Sequence, residues 1–374
     1  METILPVEDG DTLKALQGFL RCLLESGDVE AILAPLRTRA GTISPALVTD
    51  PLLLDQADPL APVLPVNGAI LAGRLSAREP RPKVGVVLRA CELRALVELV
   101  KLQQASLEHL TLIALDCAGT YSLRVYQRRS AEAPGEGLWR DLYQAAAERP
   151  EAPEPELRLA CQVCEQPVFE GAPISIHLLD GVEGPGLQIS LPDELGTRLG
   201  YSPAAPVERG LRLERLVAAR TARRDAELAA MQSRLSGDGL PQGEGMGQVF
   251  AACIRCHNCM TVCPICYCKT CVFRSAIYDH DPAQYLAWAK QKGACRMPSD
   301  TVLFHLTRLN HMALSCVGCG MCTEACPSEI PVGLVFKAIG GQVQAVFNYT
   351  PGRSLDDPLP MVTFKADEWT EVGE

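Results

Sequence analysis

The chain has 374 residues, 47% of them hydrophobic, and its 35 basic and 45 acidic side chains give a formal net charge of −10. This acidic balance excludes a typical nucleic-acid-binding protein, and the apolar fraction excludes an intrinsically disordered one. No run approaches the roughly 18 apolar residues of a membrane-spanning helix, and the acidic start lacks a secretion signal, so we expect a cytoplasmic protein.

The first half of the chain has the pattern of an α/β domain. Apolar spacing predicts helices over residues 13–24 and 92–104, and apolar runs predict strands over residues 83–88, 110–115 and 174–179. The order strand, helix, strand is that of a βαβ unit. Residues 149–156 contain three prolines and are predicted as a loop.

A glycine-rich segment divides the chain into two halves, and an amphipathic connector helix is predicted just before it, over residues 211–235. The predicted organisation is an unassigned segment over residues 1–75, an α/β domain with the connector helix over 76–236, a linker over 237–249, a cysteine-rich domain over 250–345 and an extended acidic tail over 346–374.

Cysteine is the residue type whose high number is most informative about this chain. The chain has 17 cysteines, and 12 of them lie between Cys253 and Cys326. The odd count, the length and the missing export signal argue against a disulfide scaffold. Dense cysteines in a reducing compartment instead indicate thiolate ligands of a metal.

Two segments follow the spacing C-x2-C-x2-C-x3-C-P, which is the bacterial ferredoxin pattern for [4Fe–4S] clusters. In this pattern the fourth cysteine binds the other cluster. We therefore predict one cluster on Cys253, Cys256, Cys259 and Cys326, and a second on Cys316, Cys319, Cys322 and Cys263. The alternative is a pair of structural zinc sites, although zinc usually takes two separated CxxC pairs.

The fold class expected from these motifs is α+β or α/β, with an amino-terminal α/β domain before a bacterial-type two-[4Fe–4S] ferredoxin domain. The motifs are 52 residues apart, and residues 273–278 and 300–310 of this insert are predicted to be helical. His257 is expected in a solvent-facing loop, with a hydrogen bond to a cluster sulfide as the alternative. His305 and His311 are expected to be packed and hydrogen-bonded.

Four further cysteines lie in the first half of the chain. Cys91 and Cys117 each follow a predicted strand, and Cys161 and Cys164 form a CxxC pair. Parallel strands end at one edge of a sheet, so Cys91 and Cys117 are expected to be neighbours, and the CxxC loop can complete four ligands. A zinc site, or a redox dithiol beside two inert cysteines, remains an alternative.

The sequence around these cysteines resembles the beta-subunit family of coenzyme F-420 (deazaflavin) hydrogenases and formate dehydrogenases. The resemblance covers about residues 80 to 350 and rests on Arg89-Ala-Cys91-Glu-Leu-Arg, Leu115-Asp-Cys117-Ala-Gly, Cys161-Gln-Val-Cys164, Val262-Cys-Pro-Ile-Cys266-Tyr-Cys268 and Phe304-His-Leu-Thr-Arg. Two places depart from the family: Ala90 replaces a proline, and Ala172-Pro-Ile-Ser-Ile-His177 replaces Ala-Asp-Ile-Ser-x-Gly.

The resemblance implies an iron–sulfur flavoprotein with a third [4Fe–4S] cluster on Cys91, Cys117, Cys161 and Cys164. Such subunits bind FAD and exchange a hydride with a nicotinamide or a deazaflavin. They pass single electrons to a partner hydrogenase, formate dehydrogenase or heterodisulfide-reductase-like subunit. No G-x-G-x-x-G follows a predicted strand, so no Rossmann site is predicted.

Five cysteines remain. Cys266, Cys268 and Cys271 are dense enough to hold a further cluster with Cys295 or with a residue of a partner, or else they pack beside the ferredoxin motif. Cys22 is expected to be a small core residue.

Three functions follow as hypotheses. The first is an FAD-containing electron-transfer subunit of an oxidoreductase, the second is a flavin-free cluster relay without catalysis of its own, and the third is a zinc-bearing scaffold.

Overall fold

The computed structural model describes residues 1–77, 79, 81–132, 137–179, 186–205, 210–236, 245–278, 281–293 and 300–362. These residues form a mixed seven-stranded sheet with helices around it, followed by a helical, cysteine-rich half, as the α+β fold class predicts. The strands are β1 (Glu2–Pro6), β2 (Ala31–Arg37), β3 (Ile43–Val48), β4 (Val84–Arg89), β5 (Leu110–Leu115), β6 (Ile174–Ile176) and β7 (Gly186–Ser190).

The helices divide between the two halves of the chain. The first half contains α1 (Thr12–Glu25), α2 (Gly68–Ser76), α3 (Ala90–Lys101), α4 (Leu123–Glu132), α5 (Gly137–Glu148), α6 (Leu159–Gln162), α7 (Asp193–Arg198) and α8 (Leu211–Ser236). The second contains α9 (Gly245–Val249), α10 (Asn258–Thr261), α11 (Pro282–Lys292), α12 (Thr301–Met312), α13 (Met321–Glu324) and α14 (Val332–Val346). Short 3-10 turns cover Glu8–Gly10, Pro51–Gln56 and Val272–Arg274.

The centre of the sheet is parallel. The strand order is β1-β7-β6-β5-β4-β2-β3, with parallel pairing from β6 through β5 and β4 to β2 and antiparallel pairing outside them. All six residues of β4 are buried, as expected of a strand covered on both faces. The predicted βαβ unit is confirmed as β4, α3 and β5.

The first 75 residues share this sheet with the rest of the first half. β1 pairs with β7, and β2 pairs with β4. Residues 1–75 therefore do not form a sheet of their own but belong to the same sheet as the residues that follow. The predicted helix over residues 13–24 is confirmed as α1, whose side chains Leu16, Phe19 and Leu23 are buried in the core.

One predicted strand is shorter than expected. Residues 174–179 form a strand only as far as Ile176, although His177 N still donates to Gln188 O of β7 at 3.0 Å. The backbone N–H groups after His177 bond elsewhere. Leu178 N and Leu179 N lie 3.1 and 3.4 Å from Asp116 Oδ2, and they donate to this carboxylate instead of extending the pairing with a neighbouring strand.

The connector helix is confirmed as α8, and it contacts both halves of the molecule. The buried Arg220 donates to the carbonyl oxygen of Ala118, and Gln232 Nε2 donates to Ala338 O at 3.2 Å. A continuous apolar core also joins the halves, since Val86 and Leu96 belong to the same cluster of buried side chains as Phe304 and Val335.

Two expectations for the second half meet different outcomes. The helix over residues 300–310 is confirmed as α12. The helix over residues 273–278 is wrong: only the turn Val272–Arg274 forms, because Ser275 has an extended backbone and caps that turn through its bond to Val272 O.

The start of the predicted extended tail is folded against α3. Tyr349 is buried and donates a hydrogen bond to Glu98 Oε1 at 2.5 Å, and Gly352 N donates to the same oxygen at 2.7 Å. The extended tail is therefore wrong for residues 349–352. Residues 363–374 and residues 237–244 of the linker lie outside the described part of the chain. Within the described ranges, no helix is long and apolar enough to cross a membrane.

Candidate metal centre

The first ferredoxin motif forms a tight loop before α10. Arg255 and His257 adopt left-handed backbone angles, with φ of 57° and 59°, which turns the chain back on itself. Arg255 N lies 3.4 Å from Cys253 Sγ and donates a hydrogen bond to it. Burial, and then repulsion from Cys326 and Cys256, raise the pKa of Cys253.

Cys259 lies in the same group of thiols. Burial raises its pKa to about 11, the charge of Arg308 opposes this rise, and Cys253, Cys256 and Cys326 add to it. Three cysteines of the first motif and the last cysteine of the second are therefore near enough to act on one another electrostatically.

The second motif has the reciprocal arrangement. Burial raises the pKa of Cys316, Cys319 and Cys322, and the next cause for each of them is repulsion from Cys263. Gly320 has φ +71°, and a Cβ at this position would lie 2.3 Å from Ala160 Cβ, so only glycine fits here. The loop thus packs directly against α6.

α12 covers the first set of thiols with His305. Its Nε2 lies 3.4 Å from Cys253 Sγ, and its ring stacks on Phe250 at 3.7 Å. Burial lowers the pKa of His305 to about 3, so the ring is neutral at physiological pH. The expectation that this residue is packed and hydrogen-bonded is confirmed.

The other two histidines differ from expectation. His311 is exposed rather than packed, because it lies on the outer face of α12. His257 is half-buried rather than fully open to solvent, since its ring packs 4.6 Å from that of Phe304.

Arg308 places a buried cation between the two sets of thiols. Its Nη1 donates to Cys259 Sγ at 3.1 Å and its Nη2 to Cys259 O at 3.0 Å. Burial would lower its pKa, but the thiols of Cys259, Cys263 and Cys322 raise it overall. The cysteine motifs do not predict this residue. Its signal is the spacing of His305 and Arg308, three residues apart on one buried face of a helix.

The four amino-terminal cysteines also come together. Cys91 lies in the first turn of α3, Cys117 follows β5, and Cys161 and Cys164 lie in and after α6. Burial raises the pKa of Cys117 to about 11, with repulsion from Cys161 and Cys164 among the causes. Burial also raises the pKa of Cys91 well above its usual value, and Cys319, Cys117 and Cys164 are among the charges that add to it.

Arg158 is a second buried cation between thiol sets. It donates to Thr120 Oγ1 at 3.1 Å and to Cys319 O at 2.5 Å, while its Nε lies 3.5 Å from Glu324 Oε1. Burial would lower its pKa, but Cys161, Glu324 and Cys319 raise it overall. Arg158 therefore links the amino-terminal set to the second motif.

The remaining cysteines lie elsewhere. Cys266, Cys268 and Cys271 line a cleft of about 420 Å³ together with Cys263. Cys22 is half-buried on α1 rather than fully in the core, and Cys295 lies outside the described residues.

In the described ranges, no three Cys, His, Asp or Glu side chains form a group suited to a single metal ion. A cubane differs from a single ion because each thiolate binds its own iron, so its ligands surround a larger body.

Comparison with known proteins identifies the cysteine-rich half. Residues 249–330 match the family model described as a 4Fe-4S dicluster domain. The second half of the chain therefore carries a domain of the [4Fe–4S] type.

Two curated relatives align with most of the chain. The F420-dependent formate dehydrogenase subunit beta of Methanocaldococcus jannaschii is 23% identical over 304 residues, covering 74% of this chain and 75% of the relative. The F420-dependent formate dehydrogenase 1 subunit beta of Methanococcus maripaludis is 25% identical, covering 95% of this chain and 94% of the relative. The resemblance to the beta-subunit family is confirmed.

A solved structure also matches. It is a chain of the xenon-derivatised F420-reducing [NiFe] hydrogenase complex from Methanosarcina barkeri, at a TM-score of 0.42 and 14% identity, covering 65% of this chain and 94% of that chain. The similarity to the two formate dehydrogenase subunits and the match to the dicluster model make the cysteine sets the candidates for the functional site of this chain.

Proposed function

We propose that the chain is the electron-transfer subunit of a multi-subunit oxidoreductase of the cytoplasm. It passes electrons between a hydride carrier or flavin and a partner hydrogenase, formate dehydrogenase or heterodisulfide-reductase-like subunit. The observation that carries this proposal is the link between the thiol sets through buried guanidinium groups. Arg308 donates to Cys259 Sγ of the first set at 3.1 Å, and Arg158, three residues before Cys161 of the third set, donates to Cys319 O of the second set at 2.5 Å.

The proposed ligands follow the crossed pattern of the two motifs. One [4Fe–4S] cluster is held by Cys253, Cys256, Cys259 and Cys326, a second by Cys316, Cys319, Cys322 and Cys263, and a third by Cys91, Cys117, Cys161 and Cys164. When bound, such clusters supply one-electron transfer without proton chemistry.

The residues around the thiols fit negatively charged clusters. The backbone N–H groups of Gly318 and Met321 face the thiols of Cys316 and Cys319 and lower their pKa against the effect of burial. Arg308 and Arg158 add positive charge in the buried space between the sets. Positive charge and hydrogen bonds of this kind stabilise thiolates and tune cluster potentials.

The residues fit FAD less well. In the family pattern a glycine stands where this chain has His177, and here the buried imidazole lies 2.6 Å from Ser190 Oγ and 3.7 Å from Glu2 Oε2. This imidazole packs against Ser190 of β7 and Glu2 of β1. The departure favours a second candidate function, a flavin-free relay.

The experiment is the metal, sulfide and flavin content of the anaerobically purified protein. The proposal requires iron and acid-labile sulfide, with about twelve irons per chain if all three cysteine sets hold cubanes. Bound FAD would favour the subunit that exchanges hydride, and its absence would favour the relay. A colourless protein with stoichiometric zinc would contradict both and leave a structural scaffold.

A further inference from the structure

Three cysteines that none of the proposed clusters uses lie on one short loop. Cys266, Cys268 and Cys271 follow the first motif, and the loop turns back at once because Cys266 N donates to Cys263 O at 3.2 Å. A second turn follows, in which Arg274 N donates to Cys271 O at 2.9 Å. All three thiols are free of disulfides.

The loop forms one wall of the cleft of about 420 Å³. The opposite wall comes from the α/β half of the molecule, through Ile70 and Gly73 of α2 and Leu99 of α3. The cleft therefore lies where the two halves meet, and the loop thiols line it together with Cys263 of the second proposed cluster.

The thiols of this wall line one cleft and act on one another electrostatically. Burial raises the pKa of Cys266 to about 11, and Cys263, Cys268 and Cys271 all add to the rise. Cys271 Sγ lies 3.7 Å from Met260 Sδ, so a thioether joins the group. Soft sulfur ligands of this kind select iron–sulfur clusters, zinc or copper(I) over hard cations.

The surroundings suit a ligand with net negative charge. Arg74, Lys269 and Arg274 also line the cleft, and Arg308 acts on Cys266 from the protein interior. Structural zinc is normally enclosed by four protein ligands, whereas this loop offers three cysteines beside an open cleft.

We propose that Cys266, Cys268 and Cys271 hold a fourth iron–sulfur cluster, with one iron left without a cysteine from this loop. Its place beside Cys263 makes it a branch of the relay at the second cluster. This inference adds to the proposed function, and its failure would leave the other three cysteine sets untouched.

The test uses the full chain in its complex, purified without oxygen. In the triple variant Cys266→Ser, Cys268→Ser and Cys271→Ser, we expect the loss of about four irons and four sulfides per chain. The electron paramagnetic resonance signals of the remaining clusters should persist. The matched control is Cys22→Ser, which removes a half-buried thiol on α1, far from the loop in sequence, and should lose no iron.

Two results would overturn the proposal. If the triple variant keeps all its iron and sulfide, the three thiols are not ligands. If it loses one zinc and no iron, the loop is a zinc site. Should the triple variant fail to fold, the single variant Cys268→Ser tests the proposal instead. This side chain is exposed, so its replacement leaves the core intact. That variant must change the iron content or the resonance spectrum, and an unchanged protein would refute the cluster.

Discussion

At the scale of single residues, the most specific feature is the buried Arg308. Its guanidinium donates to Cys259 Sγ and is within electrostatic range of Cys263 and Cys322. A reduced cluster carries one more negative charge than an oxidised one, so a nearby buried cation favours reduction.

We expect Arg308→Met to lower the reduction potential of the clusters beside it. A redox titration monitored by electron paramagnetic resonance measures this potential. Arg308→Lys is the matched control, because it keeps the positive charge but loses the forked hydrogen-bond donors of the guanidinium. Its reduction potentials should lie between those of the wild type and those of Arg308→Met. Iron content must be equal in all three proteins. Equal potentials in the two variants and the wild type would exclude an electrostatic role.

Cys263 tests the crossed arrangement of the two motifs. After burial, its charge is the first cause of the raised pKa of Cys316, Cys319 and Cys322. We therefore expect Cys263→Ser to alter the spectrum of the cluster bound by the second motif. Mössbauer and resonance spectra of the anaerobic variant check this. Loss of the first cluster instead would show that each motif binds its own four-cysteine cluster.

At the scale of elements, the contact between α6 and the loop before α13 depends on Gly320. A Cβ here would lie 2.3 Å from Ala160 Cβ, and the backbone has φ +71°. We expect Gly320→Ala to reduce the free energy of unfolding by about 1–3 kcal/mol, because strain and a clash both result. Denaturant unfolding of the anaerobic protein measures this change.

Gly341→Ala is the control for that substitution. Gly341 lies inside α14 with open space around its Cα, and alanine is the better helix former. This variant should be as stable as the wild type or more stable. If both variants lose equal stability, the close contact at α6 is not the cause.

At the scale of the whole molecule, the two halves share one apolar core. Side chains of β4 and α3 pack in the same cluster as those of α12 and α14, and Lys337 of α14 donates to Glu165 Oε2 at 2.5 Å beside the CxxC pair. We therefore expect a single cooperative unfolding transition. Far-ultraviolet circular dichroism and cluster absorbance, followed along one denaturant series, should coincide. Two separated midpoints would show that the halves fold independently.

The sequence predicts the features that depend on local spacing. Each ferredoxin motif is a run of cysteines with fixed separations, and β4, α3 and β5 have clear apolar patterns. The sequence does not predict that β2 and β3 are strands of the sheet. Each contains a proline, Pro35 in β2 and Pro45 in β3, and proline is unusual in an interior strand such as β2. The roles of Arg158 and Arg308 cannot be predicted from the sequence either, because they depend on which thiols, distant in sequence, lie near these side chains in the fold.

The two buried guanidinium groups have a consequence for the proposed electron transfer. Each lies between neighbouring thiol sets, so each offsets the repulsion that two reducing equivalents would feel if they resided there together. With the proposed clusters bound, the chain would therefore also be a short-term store of charge. It could accept electrons delivered as a pair and release them one after another to an acceptor that takes only one at a time.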